Sequence, residues 1–224
     1  MTSPGKNFFD NIQDVNNLLK IYYSKKSIAC FERSWLRTLN KSIIVFVTAT
    51  WEAYVEDTIS CALDFMVNMT DDHTLIPKDI RKKISLWYSY EKNEMKFWDM
   101  AGDGWKHVMK EYKKHKLSSF NTPTTNHIDK IYEETLGIKS LSNDWKWKRM
   151  TSIKAREKLD YFIDLRCKIA HCIGTEKNIT NLLISDYINF IFKICEITDN
   201  RIRDYIYKNF GTYPWESFSA SLLL

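Results

Sequence analysis

Apolar residues recur at steps of three and four along most of this chain, the period of helices that each bury one face. Near the start, Phe8, Ile12, Val15, Leu19 and Tyr22 of "FFDNIQDVNNLLKIYY" fall on one stripe. The segment "RSWLRTLNKSIIVFVTATWEAYVEDTISCALDFMVNM" reads as one long helix or two, with Val45, Trp51, Val55, Ile59, Leu63 and Met66 on its core face. Its β-branched residues at 43–50 favour a strand, but the helical pattern continuing through "WEAYVEDTISCALDFM" decides for helix. In the last third a helix is predicted over about 151–173, stopped by Gly174 as a C-cap. A second helix, capped by Ser185, carries Ile188, Ile191, Cys195, Ile202 and Ile206 on an apolar stripe. The tail "GTYPWESFSASLLL" has no clear period.

The texture changes between about 70 and 145. Pro77 lies near a helix start, and the two glycines of "DMAGDGWKH" predict a turn. Thr125 or Asn126 caps a short helix that ends at Gly137. No repeat or low-complexity linker separates this stretch from its flanks. The expectation is therefore an all-α helix bundle in one domain, 1–224. Its core helices cover about 7–69 and 151–210, and an inserted, mostly helical elaboration fills about 70–145.

Composition supports long helices: six Gly and four Pro in 224 residues leave few tight turns. The densest apolar run, "IIVFV" at 43–47, is far too short for a membrane span. "MTSPGKNFFD" lacks the apolar stretch of a signal peptide. These features point to a cytoplasmic protein with no membrane partner. Five scattered cysteines (30, 61, 167, 172 and 195) without a CxxC pair read as reduced thiols. Cys167, His171 and Cys172 cluster, but no further ligand lies nearby, so no metal is expected. The net charge of +5 is uneven: Lys and Arg outnumber Asp and Glu by eleven to six over 77–116 and by ten to five over 139–177. Such surfaces suit a polyanionic partner such as RNA, and equally suit ordinary solvated helix faces.

One residue resists the helical pattern. On a wheel of about 100° per residue with Leu159 at zero, Phe162, Ile163, Ala170 and Ile173 form an apolar face, and Arg166 sits inside it at about −20°. A guanidinium there needs a carboxylate, backbone carbonyls, or an anionic ligand reached through a cleft. Its planar fork suits phosphate oxygens. His171 lies about 140° further round and ~7.5 Å along the axis. One straight helix does not aim both side chains at one point. They converge only if the helix distorts near Gly174, or if two copies face each other across a dimer. Read alone, a histidine at a helix end is more often a cap or a surface residue than a base.

Three blocks of sequence resemble a known family. "LDYFIDLRCKIAHCIG" resembles the HEPN signature, an Arg-x4–6-His motif on a helix with apolar residues before it and "IAH" followed closely by glycine. "LNKSIIVFVTATWEAYVEDTI" at 39–59 resembles the N-terminal helix of the RiboL-PSP-type HEPN branch, and "FNTPTTNHIDKIYEETLGI" at 120–138 resembles its middle segment. The resemblance implies a HEPN-type bundle that dimerises with its motif helices facing each other. Active members are metal-independent endoribonucleases of toxin–antitoxin, anti-phage and abortive-infection systems. An RNA substrate and an antitoxin or other defence-system protein are thus the implied partners, with no cofactor.

By the motif match, Arg166 and His171 inherit the catalytic positions. His171 deprotonates the ribose 2′-OH or protonates the leaving 5′ oxygen, a role worth about 10²–10⁴-fold. Arg166 holds the scissile phosphate and stabilises charge on its oxygens. The position after the arginine is commonly Asn, Asp or His in the family and is Cys167 here, which departs from that polar contact. Glu52 in "WEAYVED" is either a third participant, partnering Arg166 or His171, or a surface carboxylate on an amphipathic helix. Some relatives are non-catalytic, so the alternative is a HEPN module that binds RNA or a partner protein.

Overall fold

The structure is a computed structural model and describes residues 3–26, 33–89, 100–171 and 179–218. Seven α-helices run through them: α1 (Pro4–Lys26), α2 (Arg33–Asn68), α3 (Lys78–Ser89), α4 (Gly104–Ser118), α5 (Thr125–Leu136), α6 (Ser152–Ala170) and α7 (Asn181–Phe210). Among the described residues there is no β-strand, only an isolated bridge between Trp147 and Met150. None of the described helices is long and apolar enough to cross a membrane.

The second apolar segment is a single helix of 36 residues, about 54 Å long at the usual rise. It packs against α1, α4, α5, α6 and α7, which explains why its β-branched run is helical. Burial on several sides outweighs the modest intrinsic cost of Val, Ile and Thr in a helix. Ile43, Ile44, Val47, Trp51, Val55, Ile59, Leu63 and Met66 are all fully buried. Val45, expected among them, is only half-buried, because the face turned to the other helices passes through its neighbours instead. The threonines within α2 satisfy their own hydroxyls: Thr48 donates to the Ile44 carbonyl and Thr58 to that of Val55, each at 2.9 Å.

Three contacts fix how α2 meets α7. Asn40 donates to the Ile179 carbonyl at 2.6 Å, Thr48 and Tyr187 bring their hydroxyls within 2.9 Å, and Tyr54 donates to the Cys195 carbonyl at 3.0 Å. The sequence separations are 139, 139 and 141. A nearly constant offset means that the two helices run parallel and in step. Helix α6 meets α7 at the turn 186–190: Lys158 pairs with Asp186 at 2.6 Å and lies over the Phe190 ring, and Phe162 stacks on Tyr187 with centroids 3.8 Å apart.

The cap of α7 is Thr180, whose hydroxyl accepts from the Leu183 amide at 3.2 Å. Ser185 lies inside the helix, so the expected cap is one turn too late; the polar Thr180 intercepts the free amides first. Ile188 is half-buried, whereas Ile191, Cys195, Ile202 and Ile206 are buried as expected. Helix α5 begins after Thr124 rather than after Thr125 or Asn126, and the Thr125 amide donates to Asp160 of α6 at 2.7 Å. Gly137 ends α5 at φ 75°, with its own amide and that of Ile138 closing back onto Glu133 and Tyr132, the left-handed turn for which glycine is favoured. Pro77 accepts the Ile80 amide and so stands just before α3. The glycine turn ends at Gly104, the first residue of α4.

Of the aperiodic tail the described residues are 211–218, and Phe218 among them joins the core. Phe218 is buried against Phe8, Phe9 and Tyr54. Buried Asp199 holds the tail in place, accepting from Trp215 Nε1 at 2.8 Å and from the Phe218 amide at 3.1 Å. Burial pushes the Asp199 carboxyl above its usual range, against the pull of those hydrogen bonds and of Arg203.

Candidate active site

Helix α6 starts at an N-cap, Thr151, whose hydroxyl accepts from the Lys154 amide at 3.3 Å. It ends at Ala170, with His171 as the C-cap at φ −93°, its amide returned to the Cys167 carbonyl at 3.0 Å. The helix is thus shorter than the expected 151–173, and Gly174, Ile173 and Cys172 lie outside the described residues. Its buried face is not straight either. Ala155, Leu159, Phe162 and Ile163 are buried, but then Leu165 and half-buried Ile169 follow, while Ala170 is exposed. On the same wheel, Phe162, Leu165 and Ile169 lie at about −60°, −120° and −80°. The face rotates as the packing partners change, from α5 at Arg156 and Asp160 to α7 at Phe162. Arg166 is left half-buried at the rim of the face rather than in its centre.

The surroundings of Arg166 are built from three helices. One turn earlier on α6, Phe162 stacks on Tyr187 of α7. Thr48 spends its proton on the Ile44 carbonyl, so Tyr187 donates to Thr48. One turn beyond Thr48 on α2 stands Glu52. Side chains on a helix lean toward its N-terminus. Glu52 therefore leans toward Thr48 and Arg166 toward Phe162, both of which contact Tyr187. Electrostatics agree: burial raises the Glu52 carboxyl above its ordinary range, and the Arg166 charge opposes that rise. Arg166 also lowers the strongly raised Tyr187 phenol, whose elevation comes from burial. Glu56, one further turn along α2, is raised by burial and by the charges of Glu52 and Asp57.

Arg166 makes no ion pair or side-chain hydrogen bond among the described residues. On the same helix, Lys158 pairs with Asp186 at 2.6 Å and Lys168 with Asp164 at 2.5 Å. Glu52 is near enough to feel the guanidinium but does not bond to it. His171 is exposed, and Cys167 is half-buried. The C-cap geometry keeps His171 one turn beyond Cys167, so its azimuth still differs from that of Arg166 by about 140°. One chain thus brings Glu52 to Arg166 and leaves His171 facing elsewhere. Among the described residues, no group of three or more His, Cys, Asp or Glu side chains is arranged to hold a metal ion.

Tyr187, Thr48 and Glu56 are absent from the sequence-level site. A spacing signal is present for two of them: Thr48, Glu52 and Glu56 form an i, i+4, i+8 polar line along α2. Tyr187 carried no comparable mark, since its role depends on the register between α7 and α2.

An all-α bundle whose penultimate long helix carries Arg-x4-His at its end has the HEPN architecture. The RiboL-PSP-HEPN family model matches residues 6–204, and the chain belongs to that family. The match spans Glu52, Arg166 and His171, and membership associates the chain with RNA-related function. No curated protein and no solved structure matches the chain.

Proposed function

We propose that this protein is a metal-independent endoribonuclease of a toxin or anti-phage defence system, acting in the cytoplasm as a single-domain HEPN homodimer. The observation that carries this reading is the half-buried Arg166 guanidinium, unmatched among the described residues. Leaving a cation without a partner at a partly desolvated surface costs free energy, which an RNA phosphate repays when it binds as a charge-assisted partner. Glu52 orients the guanidinium from a distance too great to neutralise it. His171 is the general acid or base, and exposure leaves its ring nitrogens accessible to a ribose or a leaving oxygen.

Because one chain separates Arg166 from His171 in azimuth, the working site takes its residues from two copies related by a two-fold axis. Attack of the 2′-OH on the adjacent phosphorus expels the 5′ oxygen and leaves a 2′,3′-cyclic phosphate. Cys167 lies beside the motif arginine, where the family commonly has a hydrogen-bonding residue. That substitution favours one second reading, a non-catalytic HEPN module that binds RNA or a partner such as an antitoxin. Incubating total RNA with the purified protein and with His171→Ala separates the two. The enzyme reading requires cleavage that the variant loses, and a light-scattering mass of twice the 26.7 kDa chain. Intact RNA with bound wild-type protein overturns it in favour of the binding module.

A further inference from the structure

The C-terminal turn of α4, the residues after it and helix α5 line a cleft of about 230 Å³, whose walls include His115, Lys116, Phe120, His127, Lys130 and Glu134. Glu134 is the single carboxylate in this lining, and its Oε2 is matched by Lys116 Nζ at 2.9 Å. Lys130 makes no ion pair or side-chain hydrogen bond among the described residues, so the cleft keeps an excess positive charge. His127 Nδ1 lies 2.6 Å from the Thr122 carbonyl. A carbonyl only accepts, so Nδ1 carries the proton and Nε2 is the nitrogen left for a ligand. The His115 ring stacks on Trp87, centroids 5.4 Å apart and planes 28° from parallel, which fixes one flat wall. Phe120 supplies an aromatic surface.

Positive charge beside flat aromatic surface is what single-stranded nucleic acid requires: cations for the phosphates, rings for unstacked bases. The volume falls below the ~300 Å³ at which pockets enclose a whole small ligand. It suits one unit of a longer chain. The cleft is also tied to the motif helix. Thr125, two residues before His127, donates its amide to Asp160 at 2.7 Å and its hydroxyl to the Arg156 carbonyl at 3.3 Å. Asp160 precedes Arg166 by six residues, about 9 Å along the axis.

We infer that the α4–α5 cleft is an auxiliary subsite for the RNA strand, holding one unpaired base against Phe120 and the His115 ring, with His127 Nε2 accepting from a base N–H, and a phosphate against Lys130. The inference rests on the RNA reading given above and adds where the strand is gripped away from the scissile bond.

The test is fluorescence anisotropy with a labelled 2′-O-methyl RNA 12-mer of mixed sequence, which lacks the 2′-OH nucleophile. The double variant Lys130→Ala, His127→Ala is expected to bind about tenfold more weakly, and its log-affinity to fall less steeply with log salt, by ~0.7 per lost phosphate contact. Glu134→Gln removes the only acid from the lining and is expected to tighten binding, a gain that misfolding cannot mimic. Lys208→Ala, exposed on α7 and outside the lining, is expected to match wild type. Wild-type binding that neither the double variant nor Glu134→Gln alters overturns the subsite and leaves the RNA reading standing. No binding by wild type overturns the RNA reading itself, and the subsite with it. If the double variant fails to fold, unchanged affinity in Glu134→Gln is decisive against the subsite. Displacement of the 12-mer by millimolar inorganic phosphate makes the cleft a small-anion pocket and also overturns it.

Discussion

Arg166 of α6 and Glu52 of α2 sense each other's charge without bonding. Burial lifts the Glu52 carboxyl, Arg166 partly reverses the lift, and no hydrogen bond or ion pair joins them among the described residues. Among the described residues, nothing pairs with this cation. If Arg166 were instead the structural half of a buried pair, its removal would orphan a carboxylate and cost about 3–5 kcal/mol. Arg166→Ala is therefore expected to change stability by less than ~1 kcal/mol, the range of substitutions that orphan no partner. Its RNA cleavage should fall by about 10²–10³-fold, as when one donor to developing charge is lost. Thermal melts and cleavage rates on the same preparation check both parts. A large drop in midpoint assigns the arginine to structure.

Glu52 gives a prediction with a sign in pH. A carboxyl whose folded-state pKa is raised contributes stability that is fully present below its unfolded value and is lost as pH rises through the folded value. At neutral pH the ionised Glu52 thus opposes folding, and Glu56, raised partly by Glu52, adds repulsion. Glu52→Gln should raise the melting midpoint at pH 7, by less than ~1 kcal/mol because solvent screens a half-exposed group. The difference should vanish below about pH 4, where the wild-type carboxyl is itself neutral. A lower midpoint for the variant at pH 7 is the opposite result, and would make Glu52 a direct ion-pair partner.

The C-terminal segment is predicted to be structural. Phe218 packs on three aromatic rings, and truncating a buried phenylalanine costs about 3–5 kcal/mol. At ~2–4 °C per kcal/mol for a chain of this size, Phe218→Ala should melt at least roughly 6 °C lower. Leu182→Ala, at a position 82% exposed, should stay within ~0.5 kcal/mol of wild type. Equal midpoints for the two variants would show that the tail contributes no core.

What could be read in the sequence follows the range of the forces involved. The stripe of Phe8, Ile12, Val15, Leu19 and Tyr22 and the glycine stop at Gly137 depend on neighbours within a turn or two; both stand in the structure, with Leu19 only partly buried. The Arg-x4-His pair is visible because it spans only one helix end and its cap. The docking of Phe218 is not, because the tail's partners Phe8, Tyr54 and Asp199 are brought to it only by tertiary packing. The rotation of the α6 face escaped a wheel phased on Leu159 because one phase assumes the same neighbour along the whole helix. The cap at Thr180, where the sequence points to Ser185, is hidden for a similar reason: several polar residues precede the stripe, and the Asn40 contact to Ile179 at the helix entry is not local.

The most direct test of the account asks which atom attacks. An RNA with one cleavage position is compared with the same strand carrying a single 2′-deoxy substitution there, with and without EDTA, and the product ends are identified by mass. If His171 and Arg166 promote attack by the ribose 2′-OH, the parent strand yields a 2′,3′-cyclic phosphate or its opened form and a 5′-OH. The deoxy strand then resists cutting at that position, EDTA leaves the rate nearly unchanged, and His171→Ala loses at least ~10² in rate. Equal cleavage of the deoxy position, or cleavage that requires Mg²⁺, contradicts the mechanism.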